Sequence, residues 1–152
     1  MVNFKNLNEC YIIAEAGINH NAEINLAFQL ARIAKDSGAD AVKFQLFNVK
    51  EQISSIALNA PYQQKGSGEE SMIEMAKHYD LPWDAHIEIK KYCNEIGIDY
   101  LSSCFDNDAV DFLIDKLSAN SIKISSGEIT NLRLLEHASK KNVPIILSTG
   151  MA

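Results

Sequence analysis

The chain has 152 residues, of which 47% are hydrophobic and 22% are charged, and its formal net charge is -6. This is enough for one ordinary hydrophobic core, so we expect a single domain. An acidic chain without a Lys and Arg cluster is not expected to bind nucleic acid or an anionic membrane. No apolar run approaches the roughly 20 residues of a membrane span, and residues 1–8 do not resemble a signal peptide, so a cytoplasmic protein is expected.

The first predicted unit is a strand, a helix and a second strand. Residues Tyr11 to Glu15 are predicted as a strand in which residues 12–14 are buried. Apolar residues at helical spacing then predict a helix that ends at Gly38. They are Leu26, Ala27, Leu30, Ala31 and Ala34. A second strand is predicted from Ala41 to Gln45, which completes a βαβ unit of the usual right-handed form.

The repeating pattern is interrupted between Asn48 and Leu81. This segment contains Pro61, Gly66 and Gly68, and a short helix is predicted from Met72 to Lys77. Because the segment leaves the carboxyl end of a strand, we interpret it as a lid or substrate loop in preference to a linker.

Three further units alternate helix with strand. The predicted helices are Pro82 to Glu95 with Gly97 as the stop, Asn107 to Leu117, and Leu132 to Lys140. The predicted strands are Tyr100 to Ser103, Ile122 to Ser126, and Ile145 to Ser148. Strands that alternate with helices in this way predict a parallel α/β fold.

Alternation within the strands predicts which side chains face inward. In the second strand, Val42 and Phe44 share one face, and Lys43 and Gln45 share the other. Lys123 is placed in the same way in the fourth strand. Helices should cover the apolar faces, and an inward lysine is unfavourable unless an anion neutralises it. A closed barrel gives such groups a common mouth, so a (β/α)8 barrel is favoured over an open doubly wound sheet.

Polar residues at the carboxyl ends of the strands predict the functional site. They are Glu15, Lys43, Ser103, Lys123, Ser126 and Ser148. Two lysines among serines are typical of a clamp for an anion. The structural alternative is that the lysines form salt bridges with Glu15 or Glu128, and that the serines fill space or cap helices.

The cysteines and histidines are interpreted mainly as structural. The cysteines show no CxxC spacing, and their odd number fits a reducing compartment. Cys10 and Cys93 are expected to be buried; Cys104 is also interpreted as structural, although it lies beside the predicted site. His20 is expected to support the fold by hydrogen bonding, with metal binding as the alternative. Surface or structural roles are expected for the other histidines, which are His78, His86 and His137.

Four motifs in order resemble the sialic acid synthase family. They are residues 14–21 (AEAGINHN), 39–45 (ADAVKFQ), 123–128 (KISSGE) and 147–151 (LSTGM). The resemblance covers essentially the whole chain and implies a (β/α)8 barrel. Residues 1–152 would be its amino-terminal part, about the first five βα units, without the family's carboxyl-terminal domain. Such a chain alone is expected to be inactive and prone to self-association.

The resemblance implies a condensation of phosphoenolpyruvate with an N-acetylated hexose. The acceptor would be N-acetylmannosamine or a 2,4-diacetamido-6-deoxy sugar, and the products a nine-carbon sialic or legionaminic acid and phosphate. Residues 59–63 (NAPYQ) resemble the legionaminic acid type. A divalent metal, Mn²⁺ or Mg²⁺, is also implied, with its protein ligands outside this chain. A homo-oligomer is expected.

Carried over by motif, the resemblance implies roles for individual residues. The implied phosphoenolpyruvate and substrate contacts are Lys43, Gln45, Ser103, Lys123, Ser126 and Ser148. Glu15 resembles the glutamate that contacts the sugar, and Glu128 resembles the acidic residue near the metal. Two positions depart from the family pattern: Ala22 stands where glycine is usual, and Cys104 stands where proline is usual.

Two other functions remain open at this stage. A Schiff-base aldolase would use Lys43 or Lys123 as a nucleophile of lowered pKa. A chain without catalytic activity would bind phosphate or phosphoenolpyruvate alone, or would pair with a second chain through open strand edges.

Overall fold

Residues 10–49 and 72–150 are described by the computed structural model, and they form a five-stranded parallel sheet. The strands are β1 (Ile13–Gly17), β2 (Ala41–Leu46), β3 (Asp99–Cys104), β4 (Ile122–Ile124) and β5 (Ile145–Leu147). Their order in the sheet is their order in the chain, and each adjacent pair is parallel. The predicted parallel α/β architecture is therefore confirmed, whereas closure into an eight-stranded barrel stays a prediction.

Helices alternate with these strands. They are α1 (Ile24–Asp36), α2 (Met72–Lys77), α3 (Trp83–Ile96), α4 (Asn107–Asp111) and α5 (Leu132–Ser139). Gly97 ends α3 with a φ of 72°, a left-handed conformation that glycine adopts without strain. Asp106 and Asn131 accept hydrogen bonds from backbone N–H groups in the first turns of α4 and α5. None of the helices in these two ranges is long and apolar enough to cross a membrane.

The core lies between the outer face of the sheet and the helices. Val42, Phe44 and Leu46 of β2 are buried there, as alternation predicts, together with Ile122 and Ile124 of β4. Alanines on α1 and Ile89 on α3 belong to the same cluster. Burying one large apolar side chain contributes about 1.5–3 kcal/mol, so this packing directs the polar face of each strand to the opposite side.

Two lysines, one on α1 and one on α3, each contact the carboxyl end of a later helical segment. Lys35 of α1 donates to the carbonyl of Gly97, at the end of α3, over 2.6 Å. Lys90 of α3 donates to the carbonyls of Leu117 and Ser118. These carbonyls have no partner within their own helices, and a cation there also interacts favourably with the helix dipole.

Several predicted details are wrong. Residues 12–14 are not fully buried, because Ile12 is half exposed and Ile13 and Ala14 are partly exposed. β1 begins at Ile13, two residues later than predicted, because the Asp40 carboxylate accepts a hydrogen bond from the Ile12 N–H at 2.7 Å. Cys10 is exposed because it precedes the sheet. The helix predicted from Asn107 to Leu117 is α-helical as far as Asp111 and continues as a π-helix, Phe112–Lys116.

The interruption after the second strand is described in part. The short helix Met72–Lys77 is present, as predicted. Residues 50–71, which include the predicted lid or substrate loop and the NAPYQ segment, lie outside the described residues.

Candidate functional site

The carboxyl ends of the five strands border an open cleft of about 480 Å³. It is lined by Glu15, Gly17, Ile18, Asn19, Lys43, Gln45, Ser103, Phe105, Lys123, Ser125, Ser126 and Ser148. Seven of the eight residues predicted for the site are therefore in one place. The remaining residue, Glu128, is not among those that line the cleft.

Strand register explains why these side chains meet. Residues that pair across neighbouring parallel strands point to the same face of the sheet. Lys43 pairs with Glu15 of β1, and Ser103 pairs with both Gln45 of β2 and Lys123 of β4. The polar face thus runs sideways through four strands, and Ser148 extends it because its N–H donates to Ile124 in β4 at 3.1 Å.

Lys43 is held at the floor of the cleft by two partners. Its ammonium forms an ion pair with the carboxylate of Glu15, and it donates to the hydroxyl of Ser103 over 3.3 Å. The Lys43 side chain is 13% exposed, whereas that of Glu15 is 51% exposed. The structural alternative of a salt bridge at the mouth therefore applies to Lys43.

Lys123 lies in the same electrostatic environment but has a different partner. Its ammonium donates to the carbonyl of Ile124 at 2.5 Å. Burial lowers the pKa of Lys123, the nearby ammonium of Lys43 lowers it further, and the carboxylate of Glu15 opposes these two effects. An anion placed between the two ammonium groups would relieve their repulsion.

A backbone irregularity brings Glu15 over the cleft. The pairing of β1 with β2 shifts between Glu15 and Gly17, and Gly17 has a φ of 55°. A side chain at Gly17 would place its Cβ 3.3 Å from a carboxylate oxygen of Glu15 and 3.7 Å from the amide nitrogen of Gln45. Glycine is therefore suited to this position for both its backbone angle and the space it leaves.

Glu128 lies on a short 3-10 turn, Ser126–Glu128, directly after β4. Its carboxylate accepts a hydrogen bond from the side-chain amide of Asn131 at 2.8 Å. The turn places Ser126 at the cleft and Glu128 against the start of α5, so these two residues of one motif have different surroundings.

His20 supports the loop that follows β1. It is 1% exposed, and its Nδ1 accepts a hydrogen bond from the Ala22 N–H at 3.1 Å, so its Nε2 carries the proton. That Nε2 has no hydrogen-bond partner among the described residues. Burial lowers the pKa of His20. Asn21 and Ala22 both have positive φ, 48° and 58°, so alanine adopts here the conformation for which glycine is better suited.

The other histidines have structural surroundings or are exposed. His86 is buried and its Nδ1 lies 2.9 Å from the hydroxyl of Tyr100; burial lowers its pKa to about 4. His137 contacts Asp111 at 2.6 Å on the helical side. His78 is exposed.

Two cysteines are buried, and neither lines the cleft. Cys93 and Cys104 lie in the core. Burial raises the pKa of Cys93 to about 12 and also raises that of Cys104. A thiol with a raised pKa is a poor nucleophile at neutral pH.

The described part of the chain does not provide a set of metal ligands. Within residues 10–49 and 72–150, no three His, Cys, Asp or Glu side chains gather where they could hold one ion. Glu15 and His20 flank the same loop, but His20 is directed into the core.

The cleft also contains residues that the sequence reasoning missed. Asn19, Phe105 and Ser125 line it, and Phe105 packs edge-on against Phe47 with ring centroids 6.4 Å apart. Each follows a strand by only a few residues. Their position just after a strand is the sequence signal that indicates them.

Comparison with known proteins identifies the family. The family model described as "NeuB family" matches residues 30–152. The chain belongs to the NeuB family. It is 49% identical over 142 residues to an N,N'-diacetyllegionaminic acid synthase from Campylobacter jejuni. The aligned region covers 93% of this chain and 42% of that protein. It is also 44% identical over 143 residues to the protein of the same name from Legionella pneumophila, and that alignment covers 93% of this chain and 40% of that protein.

A solved structure has a similar fold over the half of its chain that this protein matches. The N-acetylneuraminic acid synthetase of Leptospira borgpetersenii, crystallised with citrate, superimposes with a TM-score of 0.82 at 28% identity. The match covers 99% of this chain and 50% of that chain. This NeuB chain spans about 40% of the length of the two legionaminic acid synthases.

Proposed function

We propose that the protein takes part in the condensation of phosphoenolpyruvate with an N-acetylated hexose, which gives a nine-carbon sialic or legionaminic acid and phosphate. The observation that carries this proposal is the cleft that is lined by the two lysines, Lys43 and Lys123, together with four serines. Phosphoenolpyruvate carries a phosphate and a carboxylate on three carbons, and such a compact anion requires fixed cations and hydroxyl donors. NeuB membership supports the assignment.

The reaction forms one carbon–carbon bond and breaks one carbon–oxygen bond. The methylene carbon of phosphoenolpyruvate attacks the aldehyde carbon of the open-chain sugar, whose oxygen takes up a proton. Water then adds to the cationic C2 atom and loses a proton. The hydroxyl group on C2 of the resulting tetrahedral intermediate then loses its proton and becomes the carbonyl of the 2-keto acid. At the same time the bond between C2 and the phosphate oxygen breaks, and phosphate leaves with the bonding pair. The protein contributes mainly positioning and charge stabilisation.

In this proposal the two lysines and the serines hold the anion. Lys43 and Lys123 neutralise the phosphate and carboxylate, and Ser103, Ser126 and Ser148 donate hydrogen bonds. Gln45, which lies beside Glu15, orients the substrate. Glu15 accepts a hydrogen bond from the sugar. Glu128 serves as an acid or base from its position on the turn after β4.

Features of the whole protein complete the proposal. We propose that further strands of a (β/α)8 barrel pair with β1 and β5, which are the outer strands of the described sheet. Further helices would cover Ile145 and Leu147, which lie on the helix-facing side of β5 and are 37% and 42% exposed. We propose on family grounds that the protein uses a Mn²⁺ or Mg²⁺ ion, whose ligands would lie outside residues 10–49 and 72–150, because no three His, Cys, Asp or Glu side chains gather there. A cytoplasmic homo-oligomer is proposed on the same family grounds.

We propose a 2,4-diacetamido-6-deoxy sugar as the acceptor, in preference to N-acetylmannosamine. The two relatives named above support this choice, since both are N,N'-diacetyllegionaminic acid synthases and both are more than 40% identical.

Phosphate release tests the proposed reaction. It is measured with phosphoenolpyruvate, Mn²⁺ and each candidate sugar, in the 152-residue chain and in a longer protein that contains it. We expect sugar-dependent phosphate release in the longer protein, and phosphoenolpyruvate binding with little release in the short chain. Binding without release in both proteins would favour the function of a phosphoenolpyruvate-binding protein. Release that does not depend on the sugar would contradict the condensation.

The lowered pKa of Lys123 favours a second candidate, the Schiff-base aldolase. A neutral amine at this position could attack the carbonyl of a keto acid. Borohydride treatment in the presence of pyruvate would then add a covalent mass at Lys123. We expect no such adduct, because the second ammonium and the surrounding hydroxyl groups are better suited to an anion.

A further inference from the structure

Glu15 is the one acidic side chain among the described residues that line the cleft. Its carboxylate is bound to the ammonium of Lys43, which also contacts Ser103. An anionic ligand that enters the cleft therefore meets a lysine that already has an anionic partner from its own chain.

The backbone is shaped around this carboxylate. The register shift after Glu15 and the left-handed Gly17 leave space beside one carboxylate oxygen, where a Cβ would come within 3.3 Å. The Glu15 side chain is 51% exposed, so it can leave Lys43 toward solvent without unpacking the core.

We propose that Glu15 is an internal counter-ion that occupies the position of the ligand's anionic group on Lys43, and that a phosphate or carboxylate of the ligand displaces it. This inference rests on the proposed function for the identity of the ligand. Once displaced, the carboxylate is available to accept a hydrogen bond from the second substrate, so one side chain serves both the vacant and the loaded cleft.

The relative strengths of the two interactions permit this exchange. An ion pair with a half-exposed carboxylate is weak, because water solvates the carboxylate and its side chain loses freedom. A phosphate carries more charge and can bind both ammonium groups and several hydroxyls at once. The ligand therefore displaces the Glu15 carboxylate from Lys43, but its measured affinity is lower by the free energy of the ion pair between Glu15 and Lys43.

The test is the affinity for inorganic phosphate and for phosphoenolpyruvate, measured by calorimetry at fixed pH and ionic strength in the 152-residue chain. Glu15→Gln removes the competing charge and keeps the side-chain shape. We expect about two- to fivefold tighter binding of both anions. Glu88→Gln is the matched control, since Glu88 is an exposed carboxylate on α3 that does not line the cleft, and we expect no change there.

A double-mutant cycle isolates the pair. Lys43→Gln should weaken phosphate binding, and adding Glu15→Gln to it should bring no further gain. If Glu15→Gln leaves binding unchanged or weakens it while Lys43→Gln weakens it, the counter-ion proposal is overturned and the anion site survives. If none of the variants nor the unaltered chain binds either anion, the anion site and the counter-ion proposal both fail.

Discussion

The two ends of the sheet both carry charged residues beside an open cavity, yet their chemistry differs. At the amino ends, a cavity of about 360 Å³ is bordered by Tyr11, Lys35, Asp40 and Asp99. There Tyr11 donates to Asp99 at 2.7 Å, Asp40 accepts from a backbone N–H, and Lys35 donates to a carbonyl. These groups are bound to fixed parts of the fold, which is typical of stabilising contacts.

At the carboxyl ends, by contrast, two ammonium groups face the same cleft and repel each other. Charge and a cavity are therefore not enough to locate a site. The distinguishing property is charge that the protein has left incompletely neutralised, because such charge favours a ligand of opposite sign. Changes at the carboxyl ends should affect binding, and changes at the amino ends should affect stability.

The largest expected effect comes from Lys123→Met. A charge-assisted hydrogen bond contributes about 1.5–3 kcal/mol, so affinity for phosphoenolpyruvate should fall by roughly ten- to a hundredfold. The melting temperature should not fall, because the fold disfavours the charge at this position. Lys91→Met, at an exposed position of α3, is the control. Equal affinities in the two variants, measured by calorimetry, would place the anion elsewhere.

The pH dependence of stability tests whether His86, a buried histidine that does not line the cleft, acts on the fold alone. His86 lies in the first turns of α3, and its pKa is lowered to about 4. Between pH 6.5 and 5 the unfolded chain takes up a proton that the folded chain excludes, so the free energy of unfolding should fall by about 2 kcal/mol.

His86→Gln should remove most of this pH dependence and leave phosphoenolpyruvate affinity intact. His20, whose pKa is also lowered, accounts for the remainder. Urea unfolding at several pH values gives the slope, with His78→Gln as the exposed control. A slope that persists in full in the His86 variant would show that another group binds the proton.

At the amino ends, Tyr11→Phe should reduce stability and spare binding. Loss of the hydrogen bond to Asp99 should lower the free energy of unfolding by about 0.5–1.5 kcal/mol. Burial and the neighbouring carboxylates raise the pKa of Tyr11. The unaltered protein should therefore lose stability above the ordinary tyrosine pKa of about 10, and the variant should lose less. If Tyr11→Phe changed the affinity for phosphoenolpyruvate, the amino ends of the strands would also contribute to binding, contrary to this prediction.

The smallest expected effect is that of Ala22→Gly. Removing the strain of the left-handed backbone should raise the free energy of unfolding by about 1–2 kcal/mol. The greater freedom of glycine in the unfolded chain should lower it again by about 0.5–1 kcal/mol. A net stabilisation of about 0.5 kcal/mol is expected in urea unfolding. Ala31→Gly, inside α1, should instead destabilise by about 1 kcal/mol or more. If Ala22→Gly destabilised the protein as Ala31→Gly is expected to do, the backbone at Ala22 would not be strained.

Local sequence pattern was sufficient for the interior of the sheet. Alternation in β2 and β4 predicts which residues are buried and which face the cleft, because a period of two leaves each side chain one choice of face. Lys43, Gln45 and Lys123 are accordingly in the cleft.

The features that depend on distant partners could not be predicted in this way. The start of β1 depends on Asp40, which lies 28 residues away from the backbone it binds. Glu128 belongs to the same motif as Ser126, but a single turn and a bond from Asn131 separate it from the cleft. The end of the π-helix is bound by Lys90 of another helix, a contact that no local pattern indicates.

The lysines that reach from one helix to the end of the next have a consequence for building chimeras. Lys35 belongs to the first βα unit but donates to the Gly97 carbonyl of the next described unit, and Lys90 donates to the carbonyls of Leu117 and Ser118 one unit further on. A segment exchanged between relatives at a unit boundary would separate each lysine from the carbonyl it serves. A chimera in which each lysine and the carbonyl that it binds come from the same parent should fold more often than one whose crossover point lies at the turn between them.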